Sequence, residues 1–226
     1  MSALFEQFDV WGAFWGTITI AFFSAIGALL LGTVLAVMRV GPVGVLRTAG
    51  AAYVNIVRNT PLTLLVFFFA VVVHYQLRLN LADSDSSTWI TDEAYRWGII
   101  AMAVYHAAFV CEAIRSGINT VPPGQAEAAR AIGLNFGQSL REVVLPQAFR
   151  GAIAPLASAL IALIKNTTVL AAVGVMQTST FMNAAIESRA DLSYLIFALC
   201  AGFFVLLTLP LGVGLTHLSQ KLAVKR

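Results

Sequence analysis

Charged residues are scarce in this sequence. Only 11% of its 226 residues are Asp, Glu, Lys or Arg, whereas a soluble domain has roughly 25%. Hydrophobic residues make up 59% of the chain, so much of its surface must face something other than water. The net charge is +3, but the basic residues are scattered singly between apolar runs. This distribution is typical of a membrane protein, and we expect no nucleic-acid partner.

Several catalytic motifs are also missing. None of the lysines, Lys165, Lys221 and Lys225, follows a glycine, so the chain has no phosphate-binding loop, which requires Gly-Lys-Ser/Thr. No histidine precedes a glutamate, and there is no Gly-x-Ser-x-Gly. Cys111 and Cys200 lie far apart in apolar stretches and have no metal-ligand spacing. We therefore expect no catalytic residue, no metal and no cofactor in this chain.

The apolar runs predict about five membrane spans. They cover approximately 11–38, 51–77, 95–114, 153–176 and 192–218, each long enough for the roughly 20 residues that a span needs. The N-terminal segment has Glu6 and Asp9 where a signal peptide would be basic, so we expect the first run to stay in the protein. Small residues that permit close helix contacts recur in that run: Gly16, Ser24, Gly27 and Gly32. The predicted fold is an all-α, polytopic membrane bundle, one domain over residues 1–226.

The distribution of charge predicts how the chain is threaded. With the N-terminus outside, nine basic residues fall on the cytoplasmic side: Arg39, Arg47, Arg115, Arg130, Arg141, Arg150, Lys221, Lys225 and Arg226. Three fall outside: Arg78, Arg96 and Arg189. The opposite threading would violate the positive-inside rule. The sequence therefore predicts an external N-terminus and a cytoplasmic C-terminus.

A long cytoplasmic loop, residues 115–150, separates the third and fourth spans. Pro122 and Pro123 suit the start of a helix, where a missing N–H is tolerated, and Glu127 near that start complements the helix dipole. Several alanines favour a slim helix, and Gly133 can end it. Pro146 is expected to begin the next element. The loop thus predicts a short helix that could enter a groove on a partner.

Three motifs in this chain are similar to those of a known family. The first runs through the loop and reads Glu127-Ala128-Ala129, three residues, Gly133, nine residues, Val143, one residue and Leu145-Pro146. It resembles the EAA motif of ABC importer permeases, with valine at the usual isoleucine. The other two are Arg58-Asn59-Thr60-Pro61-Leu62 and Lys165-Asn166-Thr167-Thr168, which resemble the polar amino acid branch of that family. Asn59 replaces a commoner glycine, and Asn166 a commoner aspartate.

The resemblance covers nearly the whole chain and is greatest to the membrane subunits of glutamate-uptake systems from high-GC Gram-positive bacteria. It implies a type I ABC importer fold and assigns the first motif to coupling with the ATPase. It also implies an ABC ATPase dimer that uses ATP and magnesium, a second homologous permease, with a heterodimer favoured over a homodimer, and an extracellular solute-binding lipoprotein. Lipid would surround the permeases.

Two polar clusters inside predicted spans are candidates for the substrate pathway. The first contains Arg58, Asn59 and Thr60, and the second contains Lys165, Asn166, Thr167 and Thr168. A cation in the bilayer usually faces a cavity or a partner, and Pro61 should kink its span. Two cationic clusters suggest an anionic ligand, although both cations could instead be structural. An amide at position 166 removes repulsion against an acidic solute, which favours glutamate.

The alternative is a secondary transporter or channel subunit driven by an ion gradient. Polar clusters in broken helices would fit it. The odd number of spans, the lack of an inverted repeat and the long cytoplasmic loop argue against it.

Overall fold

The structure is a computed structural model, and it describes residues 7–83 and 85–222. Its helices are α1 (Val10–Val40), α2 (Gly44–Asn59), α3 (Leu62–Gln76), α4 (Trp89–Ile118), α5 (Pro123–Ala131), α6 (Phe136–Val173), α7 (Thr178–Ser188) and α8 (Ser193–Leu222). No strand occurs in these ranges, so the all-α prediction is confirmed. Glu6, used above in the signal-peptide prediction, and Lys225 and Arg226, used in the topology prediction, lie outside the described residues.

Four helical segments are long and apolar enough to cross a membrane: α1, α4, α6 and the segment containing α8. The predicted second span is instead a bent pair, in which α2 and α3 meet at 106°. Thr60 and Pro61 between them are extended, because proline excludes its predecessor from helical geometry and donates no hydrogen bond. The predicted kink at Pro61 is confirmed. Because the bend is so sharp, the described residues contain five candidate spans only if α2 and α3 together are counted as one span.

Helices α1 and α4 form the centre of the bundle, and small residues bring them together. The buried Ser24 hydroxyl donates to the carbonyl of Ile99 at 3.2 Å. A Cβ added to Gly27 would lie 2.8 Å from Ala103 Cβ, and one added to Gly32 would lie 2.6 Å from Val110 Cγ1. The predicted role of small residues in this helix is therefore confirmed.

Helices α4 and α6 cross as closely near the ends that flank α5. A Cβ added to Gly117 would overlap the carbonyl oxygen of Ala148 and lie 2.8 Å from Ala152 Cβ. A Cβ added to Gly151, on the facing helix, would be 3.4 Å from Gly117 Cα. The two backbones can approach only because both positions lack a side chain.

Helix α6 is longer than the predicted fourth span. Asn135 caps it by accepting from the Gln138 N–H at 2.9 Å, while the Gln138 side chain accepts from the Asn135 N–H at 3.0 Å, which is a complete capping box. A π-helical segment, Ser139–Val144, leads into the α-helical part Leu145–Asn166. Pro146 lies in the first turn of that part, as predicted, but the helical rod already begins at Phe136.

Candidate coupling helix and substrate cavity

The start and the end of the short helix α5 are each determined by neighbouring residues. Pro123 occupies its first turn, and Gly133 has φ +90°, a conformation that favours glycine. The Gly133 N–H donates to the Arg130 carbonyl at 3.0 Å, and the Leu134 N–H donates to the Ala129 carbonyl at 3.1 Å. This pair of bonds is a Schellman motif. The predicted start and end of the helix are thus confirmed.

The EAA-like residues are divided between an exposed and a packed face. Glu127, Ala128 and Gly133 are exposed, whereas Ala129 is buried on the side where α5 packs against the Ser139–Val144 segment of α6. Leu145 is half-buried and Pro146 is exposed. The side chain of Ile132, at the end of α5, is 79% exposed.

A cavity of about 380 Å³ lies between α4 and α6. Its apolar lining residues are Tyr105, Phe109, Ala113, Pro155, Ala159 and Ala162. Its polar lining residues are His106, Glu112, Ser116, Ser158 and Asn166. Apolar walls with a few convergent polar groups are typical of a small-molecule site.

Glu112, at the edge of this cavity, is surrounded by arginines. It forms an ion pair with Arg39, another with Arg115 at 3.2 Å and a longer one with Arg58 at 4.0 Å. We call these four residues the Glu112 cluster. With one carboxylate and three guanidinium groups, the cluster has a net charge of +2. Sequence reasoning did not identify it, because a single glutamate inside an apolar run gives no sign of what its side chain contacts.

Arg58 is the most exposed arginine of the cluster, at 47% of its side chain, against 13% for Arg39. Its guanidinium carbon is 5.7 Å from the centre of the Phe109 ring, which lines the cavity. Its neighbours Asn59 and Thr60 donate their side-chain hydrogen bonds to carbonyls of their own helix, at 2.8 Å in both cases. Of the first predicted polar cluster, Arg58 alone approaches the cavity.

The second predicted polar cluster is divided in the same way. Asn166 lines the cavity, whereas Lys165 is exposed elsewhere on α6. Thr167 is fully buried and donates to the Ile164 carbonyl at 2.7 Å, and Thr168 donates to the Lys165 carbonyl at 2.9 Å. The structure therefore brings Asn166 to the cavity wall and places Arg58 beside two residues of that wall, Phe109 and Glu112, but it does not bring Lys165 there.

His106 is a cavity residue that the sequence analysis did not include in the pathway. It is 1% exposed, its Nδ1 lies 3.0 Å from the Met102 carbonyl oxygen, and its Nε2 lies 3.2 Å from the Asn166 side-chain nitrogen. The last contact joins α4 to α6 across 60 positions of sequence. No local pattern could have predicted it.

Comparison with known proteins identifies this combination of bundle, cavity and short loop helix. Residues 28–224 match the family model described as binding-protein-dependent transport system inner membrane component. The glutamate transport system permease protein GluC of Corynebacterium glutamicum is 50% identical over 95% of this chain and 94% of its own. The probable glutamine ABC transporter permease protein GlnM of Bacillus subtilis is 32% identical over 98% of this chain and 97% of its own.

A solved structure has the same fold. The crystal structure of an amino acid ABC transporter with histidines superposes with a TM-score of 0.78, over 94% of this chain and 93% of that one, at 23% identity. The chain belongs to the family of inner membrane components of binding-protein-dependent transport systems. It is a multi-pass, non-catalytic permease subunit with the type I ABC importer fold. This membership excludes the ion-gradient alternative considered above.

Proposed function

We propose that this chain imports glutamate as one permease subunit of an ATP-driven transporter. The observation that carries the proposal is its 50% identity, along 95% of its length, to a permease named for glutamate transport. The cavity supports the assignment through charge. The Glu112 cluster has an excess of positive charge, and the residue at position 166 is a neutral amide, so nothing at that position repels a second carboxylate.

Arg58 is the group best placed to receive a carboxylate of the substrate. Its contact with Glu112 is 4.0 Å long and its side chain is half exposed, so it is held less firmly than Arg39. A guanidinium that approaches a carboxylate forms charge-assisted hydrogen bonds, each worth about 1.5–3 kcal/mol. Glu112 remains paired with Arg39 and Arg115 when Arg58 moves, which limits the electrostatic penalty of its release.

The partners follow from the importer assignment. Two ATPase subunits would bind and hydrolyse ATP with magnesium, and their closure would push on α5 through its exposed face around Glu127. A solute-binding lipoprotein would deliver glutamate from outside. A second, homologous permease would complete the pathway, because a single chain with at most five spans is too small to enclose one comfortably. We favour a heterodimer, as this branch of the family implies.

The proposed topology has the N-terminus outside and the C-terminus in the cytoplasm. Both native cysteines are buried, so single cysteines introduced by Ser87→Cys and Gly137→Cys can be compared against a low background. An impermeant thiol reagent should label the first in intact cells and the second only after lysis. The reverse pattern would overturn this orientation.

Substrate identity is tested by uptake of radiolabelled amino acids into cells that carry the assembled transporter. Glutamate should be accumulated in an ATP-dependent manner, and unlabelled glutamate should compete more strongly than glutamine or arginine. Strong competition by glutamine alone would contradict the glutamate assignment and leave the importer assignment intact. A transporter with an inactive ATPase subunit is the control for passive entry.

A further inference from the structure

The contact between His106 and Asn166 permits only one arrangement of hydrogen atoms when the imidazole is neutral. A carbonyl oxygen only accepts, so the 3.0 Å contact with Met102 requires the hydrogen on Nδ1 of His106. Nε2 is then the acceptor, and Asn166 must present its NH₂ group to it at 3.2 Å. The opposite orientation of the amide would bring two acceptors together.

This arrangement determines which atom of Asn166 is available to a ligand. The NH₂ group is engaged by His106, and the amide oxygen accepts no hydrogen bond from any of the described residues. Asn166 lines the cavity, so its free polar atom there is an acceptor. An acceptor without formal charge is complementary to an ammonium group and not to a carboxylate.

We propose that His106 is a positioning residue that holds the amide oxygen of Asn166 ready to accept a hydrogen bond from the α-ammonium group of the transported amino acid. The proposal rests on the assignment of the cavity to an amino acid. It gives the two ends of the site different tasks, since Arg58 would take a carboxylate and Asn166 the ammonium. Specificity for an α-amino acid over a dicarboxylate would then depend on a residue that acts through Asn166.

The same contact makes the amide of Asn166 and the neutral imidazole of His106 complementary as donor and acceptor. A carboxylate at position 166 would place an acceptor against the lone pair of Nε2, and that contact becomes favourable only if the ring takes up a proton. The resulting ion pair would neutralise the new charge in part. Removing His106 should therefore make the change Asn166→Asp more harmful than it is in the presence of the histidine.

The test uses the purified permease–ATPase complex without its solute-binding protein, so that only the membrane site selects. Binding of radiolabelled glutamate is competed with unlabelled glutamate and with glutarate, which has both carboxylates but no ammonium. His106→Leu should reduce the preference for glutamate over glutarate by about tenfold, the lower range for a hydrogen bond to a charged group. His106→Gln, which keeps an acceptor near the position of Nε2, should retain most of it.

Each outcome separates the positioning role from the substrate assignment. An unchanged preference in His106→Leu would overturn the positioning role. If the wild-type complex binds glutamine and not glutamate, the glutamate assignment fails, and the same comparison is made with glutamine and its des-amino analogue. If His106→Leu does not assemble, the cycle of Asn166→Asp, His106→Gln and the double variant gives the coupling between the two positions. Additive effects in that cycle would contradict the proposal.

Discussion

The proposed coupling helix α5 and the cavity between α4 and α6 are built in opposite ways. Nearly every bond that defines α5 joins residues within six positions of one another, from the proline start to the Schellman bonds at Gly133. The cavity depends on contacts between distant segments, such as Arg39 with Glu112 and His106 with Asn166. Substitutions in α5 should therefore affect what it binds, and substitutions around the cavity should first affect the bundle itself.

The difference between the two regions is tested most strongly by making the same substitution, glycine to alanine, in both. Gly117→Ala should prevent α4 and α6 from crossing, because the added Cβ overlaps a backbone oxygen that cannot move alone. We expect the free energy of unfolding to fall by about 3 kcal/mol, the upper end of the usual range for overpacking, and we expect little assembled protein in membranes. Gly124→Ala, in α5, adds a Cβ with nothing within 4 Å and should accumulate normally. Equal accumulation of the two variants, measured by immunoblot of the assembled complex, would contradict the close crossing.

A second prediction concerns function without loss of fold. Glu127→Lys should leave the permease inserted and stable, since the side chain is exposed, yet abolish uptake because the reversed charge faces the ATPase. Gly133→Trp should do the same by straining the residue at φ +90°. Co-purification of the ATPase and glutamate uptake are the measurements, with Arg141→Gln as a control at another exposed position of the loop. Normal uptake by both variants would show that α5 is not the coupling element.

The third prediction, of intermediate size, concerns how much the Glu112 cluster contributes to stability. Glu112→Gln leaves three guanidinium groups without their carboxylate and should lower the free energy of unfolding by about 1–2 kcal/mol, less than the roughly 3–5 kcal/mol of a fully buried pair, because the Glu112 side chain is 31% exposed. Glu142→Gln is the matched control, because Glu142 pairs with Arg141 where both side chains are mostly exposed, and such pairs contribute about 0–1 kcal/mol. Thermal unfolding of the purified complex compares them. Similar midpoints would mean that the cluster contributes little to stability.

The smallest expected effect is on selectivity. Asn166→Asp should reduce glutamate-stimulated ATPase activity about tenfold relative to stimulation by a neutral amino acid, because the new charge repels the side-chain carboxylate that only glutamate has, whereas it attracts the α-ammonium of both substrates alike. Stimulation by a neutral amino acid on its own binding protein should fall much less. The basal ATPase rate controls for assembly. Unchanged stimulation by glutamate would refute the role of position 166 in selectivity.

The same contrast between local and long-range contacts explains how much of this structure the sequence predicted. Hydropathy located the long helices, and Pro123 and Gly133 located α5, since these signals are local. The 106° bend was predicted as a kink, but its angle depends on packing. Lys165 and Asn166 were predicted to share one cavity because they are adjacent, yet neighbouring residues of a helix point about 100° apart. Only the packed bundle shows that Asn166 is the one that faces α4.

The continuity of α6 has a mechanical consequence. This helix extends from Phe136, beside α5, to Asn166 in the cavity wall. At 1.5 Å per residue, the two residues are about 45 Å apart along the helix axis. A continuous helix transmits displacement along its axis with little loss. Its bending stiffness is not uniform, because Pro155 lacks the N–H that would bond the carbonyl one turn earlier. Pro155 itself lines the cavity, so this point of reduced stiffness lies at the level of the cavity.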